Sequence, residues 1–160
     1  MKKTVFLSVL LAAVAFIFTS CSDSDPLPNV SLTVDIDGGT VDTTHGIVYV
    51  LQGDTLNVLS VSATNLDTKE PATITGVDYF LNYSWVGNTT IRPFSMPAII
   101  NENTRPGDYV LNVSAGIAVV DKEFATVVAG YQIKVVSDVN DIPAVGVTKS
   151  LSAKANYKND

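Results

Sequence analysis

The chain has 160 residues, 46% of them hydrophobic and only 16% charged, and its sixteen acids against ten bases give a formal net charge of −6. That acidity argues against a nucleic-acid partner. One histidine and one cysteine leave no His/Cys ligand set for zinc or haem and no pair for an internal disulfide, so no cofactor is expected and apolar burial must hold the fold.

Lys2 and Lys3 precede an apolar segment, Thr4 to Phe18, which is shorter than the about 20 residues that span a bilayer. A charged start, a short hydrophobic stretch and then small residues is the layout of an export signal, assigned here to residues 1–20 and excluded from the fold. Thr19-Ser20-Cys21 resembles a bacterial lipobox. The resemblance implies that Cys21 is acylated and becomes the first residue of the mature chain. The alternative is an ordinary cleavage site that releases a protein with a free thiol, and a lone exposed thiol is out of place in an oxidising compartment. Each buried CH₂ of an acyl chain contributes about 0.8 kcal/mol, so a multiply acylated cysteine anchors stably. Ser22-Asp23-Ser24-Asp25 resembles the acid-rich export tag of Bacteroidetes surface lipoproteins. It implies display on the outer face of the outer membrane; the plainer reading of residues 21–29, with Pro26 and Pro28, is a flexible tether.

From Val30 to Ser137 the chain reads as short β-prone runs separated by turn residues. The runs are Val30–Ile36, Ile47–Leu51, Leu56–Ala63, Thr73–Leu81, Ser84–Val86, Phe94–Ile100, Asp108–Val120 and Phe124–Val136. Turn signals fall at Asp37-Gly38-Gly39, Gln52-Gly53-Asp54, Asn65-Leu66-Asp67, Gly87-Asn88 and Pro106-Gly107-Asp108. Val77, Tyr79 and Leu81 alternate onto one face, as do Tyr109, Leu111, Val113 and Ala115, and again Tyr131, Ile133 and Val135. This pattern predicts an all-β antiparallel sandwich of about seven to eight strands over residues 30–137, without a disulfide. Residues 138–160 are polar and predict a mobile tail, with at most a short strand near Ala144–Val147.

The segment GVDYFLNYSWVGNTTIRPFSMPAI, followed by RPGDYVLNVSAGIAVVD, resembles a bacterial immunoglobulin-like domain of the kind found on surface and polysaccharide-processing proteins. The resemblance rests on Val77–Leu81, Val86-Gly87, Pro93-Phe94 and Pro106-Gly107-Asp108-Tyr109. It implies that the Tyr109 hydroxyl bonds back to nearby backbone, and it places Leu111 where antibody domains carry the second disulfide cysteine. Pro93 and Pro97 belong at edges or strand starts, where a missing N–H breaks no ladder bond.

No constellation of side chains announces catalysis. His45 lies in a Thr-Thr-His-Gly turn with no nucleophile motif nearby and reads as an exposed turn residue. The acids Asp35, Asp37, Asp54, Asp67, Asp108 and Asp121 read as solvated loop carboxylates rather than a glycosidase pair. Asp35-Ile36-Asp37-Gly38-Gly39, with Asp42 beyond, offers the alternating carboxylates Asp35 and Asp37 as a weak calcium candidate, but lacks the further ligands of a calcium loop and reads better as a plain turn. Tyr79, Phe80, Tyr83, Trp85 and Phe94 form the densest aromatic cluster; alternation turns Tyr79 inward, and Phe80, Tyr83 and Trp85 mark a candidate binding surface, although a single tryptophan more often plugs a sandwich core, and Trp85 is assigned there first. Asp42-Thr43-Thr44 and Asp54-Thr55-Leu56 resemble the acceptor sequence for O-glycosylation of exported Bacteroidetes proteins, with Thr43 and Thr55 as acceptors.

These readings converge on a non-enzymatic lipoprotein, anchored in the outer membrane through its lipid and facing outward, whose single domain binds glycan or protein. The alternative is a structural or assembly subunit, or an adhesin component, of a cell-surface complex. In that case an edge strand pairs with a partner chain.

Overall fold

The structure is a computed structural model that describes residues 27–119, 122–146 and 148–158. Its strands are β1 (Val30–Asp37), β2 (Thr40–Asp42), β3 (Ile47–Leu51), β4 (Leu56–Asn65), β5 (Pro71–Ala72), β6 (Ile74–Leu81), β7 (Ser84–Thr89), β8 (Met96–Ile100), β9 (Gly107–Val119), β10 (Lys122–Val136), β11 (Ser150–Lys154) and β12 (Asn156–Tyr157). They form two sheets. The first has the order β11-β1-β4-β5, with β8 also on β4; the second runs β2-β3-β10-β9-β6-β7, with β12 on β10. The fold is an all-β sandwich, and no described helix is long and apolar enough to cross a membrane.

The alternation that predicted strands also decides which face is buried. Leu32 and Val34 of β1, Val61 and Ala63 of β4, Val77 and Tyr79 of β6, Leu111, Val113 and Ala115 of β9, and Tyr131, Ile133 and Val135 of β10 all join one buried cluster between the sheets. Period-two alternation places every second side chain inward, and removing that apolar area from water stabilises the pair of layers by roughly 25 cal/mol per Å². Two tyrosines cross the core and satisfy their hydroxyls on backbone. Tyr131 donates to the Leu32 carbonyl at 2.7 Å, linking the second sheet to the first, and Tyr79 donates to the Phe94 carbonyl. Trp85 is not a core residue; it is 62% exposed on β7, and these tyrosines fill the interior instead.

Burial raises the pKa of both phenols, with the neighbouring Tyr79 adding to the effect at Tyr131. The neutral form is thus favoured in the fold. Their contribution is complete below the unfolded value of about 10 and is lost as pH climbs beyond it, because the unfolded chain ionises first. The denaturant midpoint is therefore expected to fall steeply above about pH 10, and less steeply in Tyr131→Phe, as measured by chemical unfolding across alkaline pH.

The sheets depart from the sequence expectation in three ways. The sandwich is not wholly antiparallel: β3 runs parallel to β10, with Val48 beside Ile133 and Val50 beside Val135. Alternation in Ile47–Leu51 is the same for either direction, so nothing local sets it. There are also twelve described strands rather than seven or eight, the additions being the short β2, β5, β11 and β12. Finally, residues 150–157 are not a free tail. β11 pairs antiparallel with β1, β12 with β10, and Leu151 and Ala155 are buried. The segment near Ala144–Val147 carries no strand in its described residues. One apolar residue every few positions is a weak signal, and it suffices here because β1 already offers an unpaired edge.

The register defines two ends. Val30 pairs with Asn65, Val127 with Tyr157, and the Tyr157 hydroxyl donates to the Pro28 carbonyl at 2.5 Å, so the chain enters at the end of the sandwich toward which β9 runs and from which β10 starts. At the other end lie the Gly38, Gly53 and Asn82–Tyr83 turns. Gly38 is required there: at φ +84° a Cβ would stand 2.0 Å from the Thr55 carbonyl oxygen.

Candidate functional site: an aromatic hairpin

β6 and β7 are joined by a two-residue turn in which both central residues, Asn82 (φ 46°) and Tyr83 (φ 66°), lie in the left-handed region. This is the turn whose twist matches a hairpin. Asn suits the first position, but Tyr at the second is unusual for a bulky residue. The turn is fixed from outside: the Val110 N–H donates to Asn82 Oδ1 at 2.8 Å, and the Asn82 N–H donates to the Val110 carbonyl at 2.9 Å. Tyr83 is consequently held out at 85% exposure.

Phe80 pairs directly with Trp85 across the hairpin, so the two rings share the outer face of the second sheet, with Phe80 half-buried. The row continues to Asn112 on β9 and Gly130 on β10. The Asn112 Nδ2 is buried with no hydrogen-bond partner, and the position beside it carries no side chain. Sequence reasoning marked Phe80, Tyr83 and Trp85 but missed Val86, Ile91 and Asn112. The lack of any charge from Tyr83 to Ile91 was the readable signal for the first two; for Asn112, only the register brings it beside Phe80.

The remaining sequence candidates are dispersed. The Asp35 carboxylate accepts from Ser60 Oγ at 2.6 Å and from Ser150 Oγ at 2.5 Å, and these bonds hold its pKa below the usual carboxylate value. Asp37 pairs with Lys149 at 3.2 Å. Both acids belong to β1 rather than to a loop, and no group of three or more His, Cys, Asp or Glu that could hold a metal ion occurs among the described residues. Asp42, which the sequence offers only beside the calcium candidate and in the O-glycosylation pattern, is buried; its carboxylate takes the His45 ring nitrogen at 2.6 Å and the Thr44 N–H at 2.9 Å. The His45 bond chiefly lowers the Asp42 pKa, while the ring itself is 68% exposed. Thr43 and Thr55 are both exposed in connections between strands. Cys21 and the Ser22–Asp25 tag lie outside the described residues.

No family model matches this chain, and neither a curated protein nor a solved structure matches it.

Proposed function

We propose that the chain is a lipoprotein anchored at Cys21 in the outer membrane, exported to the cell surface through the Ser22–Asp25 tag, and that its immunoglobulin-like sandwich is a non-catalytic binding module for glycan or protein. The observation that carries this reading is the position of the aromatic hairpin. Tyr83 and its turn lie at the end of the sandwich opposite the chain entry at Pro28, so a tether at residues 21–29 presents the exposed rings away from the membrane. A tyrosine kept in a left-handed turn position costs stability locally, and such features concentrate where a surface has work to do. The immunoglobulin-like assignment is supported by the Tyr109 hydroxyl, which donates to the Arg105 carbonyl at 2.9 Å, and by the buried Leu111 two residues on. Thr43 and Thr55 are accessible for O-glycosylation on this reading.

Two measurements test it. In protease shaving of intact cells, the wild-type domain is expected to be cleaved, and a variant with Asp23→Ala and Asp25→Ala protected, with permeabilised cells as control. In affinity electrophoresis against a panel of soluble polysaccharides, Trp85→Ala is expected to weaken binding at least about tenfold, or about 1.4 kcal/mol, without moving the unfolding midpoint. Hydrolysis of a glycan, abolished by one carboxylate substitution, would overturn the non-catalytic reading. The alternative role, in assembly or adhesion, is favoured by one observation, the open edge of β7.

A further inference from the structure

Glycine inside a strand weakens it, and its usual grounds are a bend of the backbone, a second backbone packed against it, or the close approach of a ligand. The first two do not hold for Gly130. It lies within β10, flanked by β9 on one side and by β3 and β12 on the other, its φ is outside the left-handed region, and it is exposed on the outer face of the second sheet. A Cβ there would meet no backbone, only two side-chain atoms, Asn112 Oδ1 at 3.3 Å and Val110 Cγ1 at 3.6 Å. The space that this Cβ would fill is bordered by the Asn112 amide, whose Nδ2 is buried without a hydrogen-bond partner, although buried polar groups are normally paired. Two independent departures from an ordinary solvated strand thus fall on one cross-strand pair. Their row continues through Phe80 to the exposed Trp85.

The geometry points to this row as a binding subsite for a neutral oligosaccharide, one sugar ring stacked on Trp85 and another lying over Gly130 with its hydroxyls on the Asn112 amide. Trp85 and Gly130 are three strand spacings apart, about 14 Å, which exceeds a single sugar ring. Chemistry selects the occupant. A sugar has an apolar C–H face that suits an aromatic ring, and hydroxyls that both donate and accept. The Asn112 amide does both as well, as do Ser114 and Gln132 in the outward rows on either side. A polypeptide would add to a free edge or fill an apolar groove, and the floor of this row is neither, since β9 is paired on both sides at Asn112. Charge sets the class of glycan: the only charged position in the row and its two neighbours is Asp78, and the chain is net −6, so carboxylated or sulfated sugars are repelled. This deepens the glycan branch of the function proposed for the hairpin and rests on that reading.

The test is affinity electrophoresis of the full chain, purified in mild detergent, through gels that each hold one soluble polysaccharide. Galactomannan, xyloglucan and mixed-linkage glucan are the neutral probes; polygalacturonate and dextran sulfate are the anionic ones. Retardation by at least one neutral probe and by neither anionic one is expected. Gly130→Thr is expected to weaken it at least about tenfold by filling the cradle, and Asn112→Ala about threefold to tenfold, the worth of one hydrogen bond. The thermal midpoint of Gly130→Thr is expected to stay level or rise, because threonine is the better strand residue; a purely structural glycine would give a lowered midpoint with retardation intact. Asn112→Ala adds no atoms and decides the matter if Gly130→Thr does not fold. Retardation that Trp85→Ala removes but Gly130→Thr and Asn112→Ala leave unchanged overturns the subsite while the hairpin reading stands. Stronger retardation by an anionic probe overturns the neutral class, and retardation by no probe removes the subsite together with the glycan branch beneath it.

Discussion

A chain ended at Thr148 is expected to lose about 3–5 kcal/mol of stability, a large part of the margin of about 5–15 kcal/mol that a domain possesses. The deletion removes β11 and β12, and with them the buried Leu151 and Ala155. It strips the ladder from Ser31 to Asp35, where each lost backbone bond is worth about 1 kcal/mol net. It also removes the Ala155 N–H donated to the Val30 carbonyl at 2.9 Å and the Tyr157 hydroxyl donated to Pro28, so the segment linking the domain to its tether loses its hold. Asp35 loses Ser150 but keeps Ser60. Urea unfolding of this chain beside one ended at Ala155, which retains β11, separates the two contributions. A midpoint unchanged in both would show that the C-terminal strands are dispensable.

Tyr79→Ala is expected to cost about 3–5 kcal/mol, the range for deleting a large aromatic from a packed core. Tyr79 is fully buried on β6, and its hydroxyl satisfies the Phe94 carbonyl, which sits at a turn residue with φ 65°. Tyr79→Phe isolates the polar part. It preserves the ring but leaves that carbonyl without its partner, at a cost of about 1–3 kcal/mol. The ratio of the two losses, read from equilibrium unfolding, therefore reports how much of the role is packing and how much is fixing the Phe94 turn against β6. Equal losses would place the whole effect in the hydrogen bond.

Strands were legible wherever apolar residues alternate over several positions, as in Val77, Tyr79 and Leu81 or Tyr131, Ile133 and Val135, because period two follows from backbone geometry alone. The Tyr109 bond was legible through the immunoglobulin-like resemblance, which implies a hydroxyl turned back to nearby backbone, and the acceptor is the Arg105 carbonyl. Trp85 was misread as core. Alternation places it on the face of Phe80, but no pattern within one strand says which face is covered. The buried, turn-capping role of Asp42 was not legible for a related reason: only the folded turn gathers the Thr44 N–H and the His45 ring around its carboxylate.

The sequence by itself determined that this is a β protein with its apolar burial concentrated in alternating strands, without a disulfide and with little charge to place inside. Those are consequences of side-chain period and composition. Tertiary structure decided that β3 runs parallel to β10, that the C-terminal residues add a strand to each sheet, that tyrosines rather than the tryptophan occupy the core, and that β7 is left as an edge. Each depends on which strand lies beside which. Pairing is a contact between residues far apart in the chain, settled by the total area buried and ladder bonds formed, and no short window of sequence contains that sum.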